Sequence, residues 1–440
     1  MTILRIIVLL WRKTMFVEFS VANFRSIKER QTLSLVASKN KELQDTNTSL
    51  SANGKTRLLK TAIIYGANAS GKSNLFHALK FFFAFACDSH SKKINEKIET
   101  EPFLFDVQVR SQRSEFEIIF YIDRVRYRYG YGADSTRMHY EYLFAVQNVQ
   151  EVTLFTRLDQ KITVNSKYFK EGVTRTEFAR ENVTFLSVCA QNNGELAKLI
   201  VSHFLKIRVT SGLRSNSWLT RKFIKVNENK KAVVNFLKLA DFQLDDLRLE
   251  TAIQDYSDID DKDIQEFFLR KFGTPEKETV LFGHTIYDGE KEAGREFLKF
   301  EMESSSTQKL FEYVGPLIQT LGNGGTLFID EFDAQLHPLI IEAIIKMFAD
   351  PVANAKDAQL VVSCHAVNIM TNKLFRRDQI WFCEKDSHGA TNLYSLVEFK
   401  DPDKKASVRN DASFGKNYLQ GKYGAIPYLG EIFTQTECEV

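Results

Sequence analysis

The chain has 440 residues, 44% hydrophobic and 26% charged, and its 59 Lys and Arg against 56 Asp and Glu leave a formal net charge of +3. Charge so nearly cancelled excludes a global field drawing the chain to nucleic acid or an anionic membrane, and leaves only local basic patches open. The length allows a full core and two or three structural units, and the scattered Cys87, Cys189, Cys364, Cys383 and Cys438 form no C-x-x-C pair, which reads as reduced cytosolic thiols.

The opening MTILRIIVLLWRKT is apolar from Ile3 to Trp11, but Arg5 interrupts it and it falls far short of the roughly 20 residues of a membrane span. Arg12 and Lys13 stand where a signal peptide would need small residues, so residues 1–14 are expected to be an extension ahead of the fold. Residues 16–36 alternate apolar and polar as strands do, and LLKTAIIYG is a buried strand running into glycine. NLFHALKFFFAFA, apolar almost all round, predicts a helix packed beneath a sheet. From Phe103 to about Phe155, FEIIFYI and VRYRYGYG predict an antiparallel meander, whose interleaved Tyr and Arg read either as cross-strand packing or as a nucleic-acid face. LAKLIVSHFLKI, KAVVNFLKLADF and DIQEFFLRKF carry helical apolar stripes, which predicts a helical insertion over 183–275. The insertion splits a catalytic lobe into 15–182 and 276–440. It is too short, and its stripes too irregular, for coiled-coil arms.

Gly66-Ala67-Asn68-Ala69-Ser70-Gly71-Lys72-Ser73 matches G-x-x-x-x-G-K-[ST] in full, between the strand TAIIY and a helix opening at Asn74. Glycines let such a loop curl its N–H groups inward onto phosphate oxygens at a helix N-terminus. Lys72 would reach the β and γ phosphates of ATP and the Ser73 hydroxyl would ligate Mg²⁺. Downstream, GTLFIDEFDAQLHP ends a strand in two carboxylates: Asp330 is placed to hold Mg²⁺, and Glu331 to act as general base on the attacking water. Ser305, Ser306 and Thr307 open a helix and read either as an ordinary N-cap or as an anion-binding signature element. QLVVSCHAVNIM brings His365 to the end of the next strand, where it could contact a γ phosphate; His337 has the weaker case of shaping a loop.

Together with FSVANFRSIKE and the closing YLQGKYGAIP, the ordered set YGANASGKS, ESSSTQK, LFIDEFDAQLHP and SCHAVNIM resembles the AAA-type, OLD/SMC-like ATPases of bacterial defence, close to the abortive-infection AbiLi/RloA group. The resemblance implies an α/β P-loop NTPase of the ABC ATPase type, with a mixed sheet, flanking helices, an antiparallel β lobe and a helical insertion. It implies a cytoplasmic protein that self-associates around ATP and Mg²⁺ and controls a separate effector nuclease or toxin, with DNA a further candidate partner and no membrane. Asn23, Arg25 and Ser26 would lie near nucleotide and Gln191 would report on Mg²⁺. The signature departs from the ABC pattern in carrying serine where glycine is usual. No appended nuclease domain is expected: Glu384 and Asp386 in CEKD, and Asp401 and Asp403 in DPD, read as surface turns. The alternative is a RecF/SMC-like DNA-repair or DNA-clamping ATPase.

Overall fold

The computed structural model describes residues 13–146, 150–214, 216–239, 244–253, 264, 276–400 and 408–427. The chain divides into two compact units, one built from residues up to 213 with 320–334 and those from 341 onward, the other from 214–319 and 335–340.

The central sheet of the first unit has six strands: β1 (Thr61–Tyr65), β2 (Ile207–Ser211), β3 (Thr326–Asp330), β4 (Gln359–Ser363), β5 (Ile380–Lys385) and β6 (Thr391–Ser395). They lie in the order β2-β3-β4-β1-β5-β6, parallel except for the β5–β6 pair. TAIIY, TLFID and QLVVS are buried at every residue, the continuous run expected of parallel strands covered on both faces. The sheet order places β4 between the strand that ends in the acid pair and the strand that precedes the Gly-rich loop.

A seven-stranded antiparallel sheet runs Lys161–Val164, Glu151–Leu158, Met138–Val146, Val125–Ala133, Ser114–Ile122, Thr14–Ala22 and Gln31–Ser34. The meander expected over 103–155 is therefore present and continues to Val164. The earliest strand of this sheet along the chain, from Thr14, begins inside the span expected as an extension; residues 1–12 of that span lie outside those described. Helix Lys72–Asp88 packs against both sheets, which explains its all-round apolarity: Phe76 meets Phe328 of β3 at 6.4 Å between centroids, and Phe82 stacks on Tyr131 of the meander at 5.4 Å. On the meander's other side Arg113 lies over Tyr140 and Arg128 over Phe144, while the same guanidinium groups pair with Glu115 and Glu151. Arg128 is committed to ring and carboxylate partners on other strands and Arg113 to Tyr140 and its near neighbour Glu115, which favours the packing reading of the Tyr/Arg interleaving.

The segment 183–275, expected to be helical throughout, is mixed. Helices Phe185–Gln191 and Glu195–Phe204 belong to the first unit, where Phe204 packs on Phe82 and Phe120, and β2 joins the central sheet. The second unit begins at 214, with helices Trp218–Phe223 and Asn227–Leu239 and strand Asp246–Ile253. An apolar stripe identifies a helix but not the core it serves, so LAKLIVSHFLKI gave no sign that it completes the first unit. Of DIQEFFLRKF only Ile264 lies among the described residues. The second unit also holds strands Glu276–Asp288 and Lys291–Lys299, in one sheet with Asp246–Ile253, and residues 305–319 of helix Ser305–Asn323; Phe282, Phe300 and Phe311 form its aromatic centre.

His203, on the helix completing the first unit, is 3% exposed and stacks on Phe120 at 4.9 Å, with no hydrogen-bond partner for either ring nitrogen among the described residues. Burial, helped by Lys206, pushes its pKa from 6.5 down to about 3. The folded protein keeps this ring neutral while the unfolded chain protonates it below pH 6.5, so stability is lost as pH falls from 6.5 towards 3, by about 2 kcal/mol at pH 5. His203→Phe is expected to keep the stacking and to remove this one-proton slope from denaturation free energies measured between pH 7 and 4.5; parallel slopes for the two proteins would contradict the assignment. Among the described residues no helix is long and apolar enough to cross a membrane.

Candidate nucleotide site

β1 ends at Tyr65, and the chain curls through Gly66–Gly71 before entering helix Lys72–Asp88. Gly71 has φ +105°, and a Cβ there would stand 2.0 Å from Thr391 Oγ1 and 2.9 Å from Ser26 Oγ, so glycine alone fits. The loop is held from outside by the same two residues. Thr391 Oγ1 bonds to the Ser70 carbonyl at 2.9 Å, and the Ser26 hydroxyl shares a 2.8 Å bond with Thr391 and accepts from Asn74 Nδ2 at 2.6 Å. Lys72 Nζ donates to the carbonyls of Gly66 and Ala67 at 2.8 and 3.0 Å, leaving one of its three N–H bonds for another acceptor. Burial pulls the Lys72 pKa down, and Cys383, Asp330, Glu331 and Asp333 oppose that fall.

Two strands away, β3 ends in the acid pair. The Ser363 hydroxyl, at the end of the intervening β4, donates to Asp330 Oδ1 at 2.6 Å and accepts from the Glu331 N–H at 2.7 Å. Glu331 has φ +52°, in the left-handed region that a long L side chain rarely adopts. Such a turn costs on the order of 1–3 kcal/mol. It is fixed by the Ser363 bond and by Phe332 N donating to the Ser363 carbonyl at 3.0 Å. One carboxylate oxygen of Asp333 receives the N–H groups of His365 and Ala366, both at 2.8 Å, and so pins the chain just past β4. The outcome is a cavity of about 490 Å³ lined by Asn68–Asn74, Glu331, His365 and Lys385. Lys72, at the start of the helix that follows β1, and Glu331, just past the end of β3, face the same space.

These residues fit a triphosphate with its divalent cation. The Ser70 hydroxyl is buried without a hydrogen-bond partner among the described residues. The first turn of the helix offers N–H groups that no helix can satisfy internally. Among the described residues no cluster of three or more His, Cys, Asp or Glu side chains could hold a metal alone. Ser73 lines the cavity and Asp330 ends β3; together with phosphate oxygens and water they would hold Mg²⁺, the usual manner of that ion.

The profile of the family described as "AAA domain, putative AbiEii toxin, Type IV TA system" matches residues 62–371, which includes the Gly-rich loop, the acid pair, Ser363 and His365, while Ser26, Lys385 and Thr391 lie beyond the matched span. The chain belongs to this AAA-domain family. Among solved structures, the SMC head domain from Thermotoga maritima is similar at 13% identity and a TM-score of 0.39, over 86% of this chain and 98% of that one. The Smc head domain with an extended coiled coil bound to the C-terminal domain of ScpA, from Pyrococcus furiosus, is similar at 12% identity and a TM-score of 0.35, over 87% and 96%. No curated protein matches the chain. The fold is an α/β arrangement in which a P-loop joins a central strand of a mainly parallel sheet to the helix that follows, carried by the sheet order and loop already described.

Of the residues expected at the nucleotide, this AAA domain brings Asn68, Ala69, Ser70, Gly71, Lys72, Ser73, Asn74, Glu331 and His365 to one cavity, with Gly66 and Asp330 bonded at its edge. Arg25 is not among the lining residues; its guanidinium pairs with Glu101 at 2.9 Å, and Ser26 is the member of that run that reaches the loop. Asn23 donates to the carbonyls of Val109, Gln112 and Arg113 and accepts from Phe103 N, which organises a neighbouring loop. Gln191 is exposed at the end of its helix and does not line the cavity. Ser305, Ser306 and Thr307 lie in the second unit, where Ser304 Oγ accepts from Thr307 N at 3.1 Å as a helix cap and Ser306 Oγ donates to the Gln335 carbonyl at 2.7 Å. His337 accepts from Leu339 N through Nδ1 at 3.2 Å, a bond that shapes its turn.

Four contributors were missed: Asp333, Ser363, Thr391 and Lys385. CEKD is no plain surface turn, because Glu384 accepts from Ala425 N and Lys385 lines the cavity, whereas the DPD at 401–403 lies outside the described residues. IWFCEK did carry a signal. A buried run ending in a charged pair is what a further parallel strand opening onto the nucleotide edge looks like.

Proposed function

We propose that this chain binds ATP with Mg²⁺ and hydrolyses it, and that the nucleotide cycle governs a separate toxic effector in an anti-phage, abortive-infection system. The observation that carries the ATPase reading is Glu331 facing the cavity that holds Lys72 and Ser73. The loop N–H groups and Lys72 bind and orient the phosphates. Glu331 accepts a proton from the attacking water, and its turned backbone, held by Ser363, keeps the carboxylate aimed at the cavity. His365 stands across the same space and senses the terminal phosphate. Mg²⁺, when bound, would neutralise charge on the β and γ phosphates. The helix start at Ser305–Thr307 is assigned to the terminal phosphate held by a second copy, which makes self-association part of the cycle.

The words toxin and TA system in the family's description support the defence branch, and the paired arginines of the meander weigh against a DNA face there. The test is ATP turnover by the purified chain with and without duplex DNA, alongside co-expression with the product of the neighbouring gene. The defence reading expects turnover insensitive to DNA and neighbour toxicity that depends on Lys72. Severalfold stimulation by DNA, with no nuclease or toxin encoded alongside, would instead make this a DNA-repair or DNA-clamping ATPase in the cytoplasm.

A further inference from the structure

Strand β5 joins the nucleotide cavity to the end of the described chain. Its Cys383 carbonyl lies so close to the Gly-rich loop that a Cβ on Gly66 would stand 2.3 Å from it. The next residue, Glu384, accepts from Ala425 N at 2.8 Å, and the single Tyr394 hydroxyl proton is shared between the Tyr423 carbonyl at 2.7 Å and Glu384 at 3.1 Å. Phe382, two residues earlier, is flanked by Tyr418 at 5.4 Å and Tyr423 at 5.8 Å, and Tyr418 reaches on to Tyr65, the residue before Gly66. Gly424 permits this grip: it has φ +70°, and a Cβ there would meet Glu384 Oε2 at 2.6 Å and Tyr394 Oη at 2.8 Å. Successive strand residues point to opposite sides. The residue after Glu384 is Lys385, an exposed cation lining the cavity.

We infer that Lys385 is a second phosphate-binding cation of the site, and that the segment 414–425 is a clamp which positions it by gripping β5 through Glu384. The clamp and the cation form one device, resting on the nucleotide reading above. Lys72 is buried at the loop and already shares two of its donors with carbonyls, so the loop alone supplies limited charge to a polyanion. Lys385 adds a full charge from the end of β5, the strand beside β1. Its contribution falls as salt rises, since it is an exposed point charge.

The test is ATP binding by calorimetry to the full-length protein at low and high salt, in wild type, Lys385→Ala, Lys385→Arg, Gly424→Val and the Lys385→Ala/Gly424→Val double variant, with thermal unfolding confirming that each is folded. Lys385→Ala is expected to weaken binding about tenfold, with a smaller salt dependence, and Lys385→Arg to restore most of it. Gly424→Val, whose side chain drives into Glu384 and Tyr394 without touching the cavity, is expected to weaken binding severalfold. The double variant should bind no more weakly than Lys385→Ala, because both changes act through one ammonium. Wild-type affinity in Lys385→Ala would overturn the phosphate role, and additive losses in the double variant would overturn the clamp. If the wild-type chain takes up no ATP, it is the nucleotide reading itself that fails.

Discussion

Glu331→Gln is expected to lower the rate of ATP hydrolysis by a factor of about 10²–10⁴ while leaving ATP affinity within about threefold of wild type. The separation of the two effects follows from the geometry. The amide keeps the volume and the turned backbone, whose N–H still donates to the Ser363 hydroxyl, but it cannot accept the proton of the attacking water. The loop that binds phosphate is positioned independently, by Thr391 and Ser26. The variant should therefore accumulate in a closed, ATP-loaded assembly, visible as a larger species by light scattering that appears with ATP and persists. Single-turnover hydrolysis at the wild-type rate would remove Glu331 from its role. Equal loss of binding and turnover would instead assign it to holding the loop.

Replacing Glu141 by Leu is expected to cost about 4 kcal/mol of stability, out of the 5–15 kcal/mol typical of a domain. Its carboxylate is fully buried and accepts the N–H groups of Phe185 and Leu186 at 2.6 and 3.0 Å, together with the Tyr129 hydroxyl at 2.9 Å. It thereby completes the first turn of helix Phe185–Gln191 from the neighbouring meander strand. Leucine would leave three buried donors without an acceptor, each costing about 1–3 kcal/mol, partly offset by the apolar surface gained. Burial raises the Glu141 pKa, and Arg157 and these donors oppose that rise. Glu141→Gln, which retains an acceptor, should lose only about half as much. Chemical denaturation decides between these: unchanged midpoints for both variants would mean that the helix start finds other partners.

The parts of the fold written in local pattern were legible. The loop Gly66–Ser73, the strand TLFID with its two acids, and the meander follow from periodicity and motif spacing, because each is set by residues close in sequence. Partnership across the sheet was not. Ser363 bridges Asp330 and Glu331 only because β4 lies beside β3, and Thr391 supports Gly71 only because β6 returns to the loop. Arg25 was expected at the nucleotide from the FSVANFRSIKE run, yet it is Ser26 that turns to the loop, since a left-handed residue at 25 sends that side chain towards Glu101. A period-two pattern does not anticipate such a turn. Gln191 likewise carried no local signal that its helix, Phe185–Gln191, contributes no residue to the cavity. Lys385 was hidden in a charged pair whose meaning depends on β5 lying next to β1.

The most direct measurement of the account is calorimetric titration of ATP with Mg²⁺ into the wild-type chain and into Lys72→Ala, followed by the same titration of Asp330→Ala with Mg²⁺ present and chelated. One saturable site in the wild type is expected, lost in Lys72→Ala; Asp330→Ala should retain binding but lose its dependence on Mg²⁺. A wild-type protein that takes up no ATP, or an Asp330→Ala protein whose Mg²⁺ dependence is intact, would contradict the meeting of loop and acid pair at one nucleotide centre.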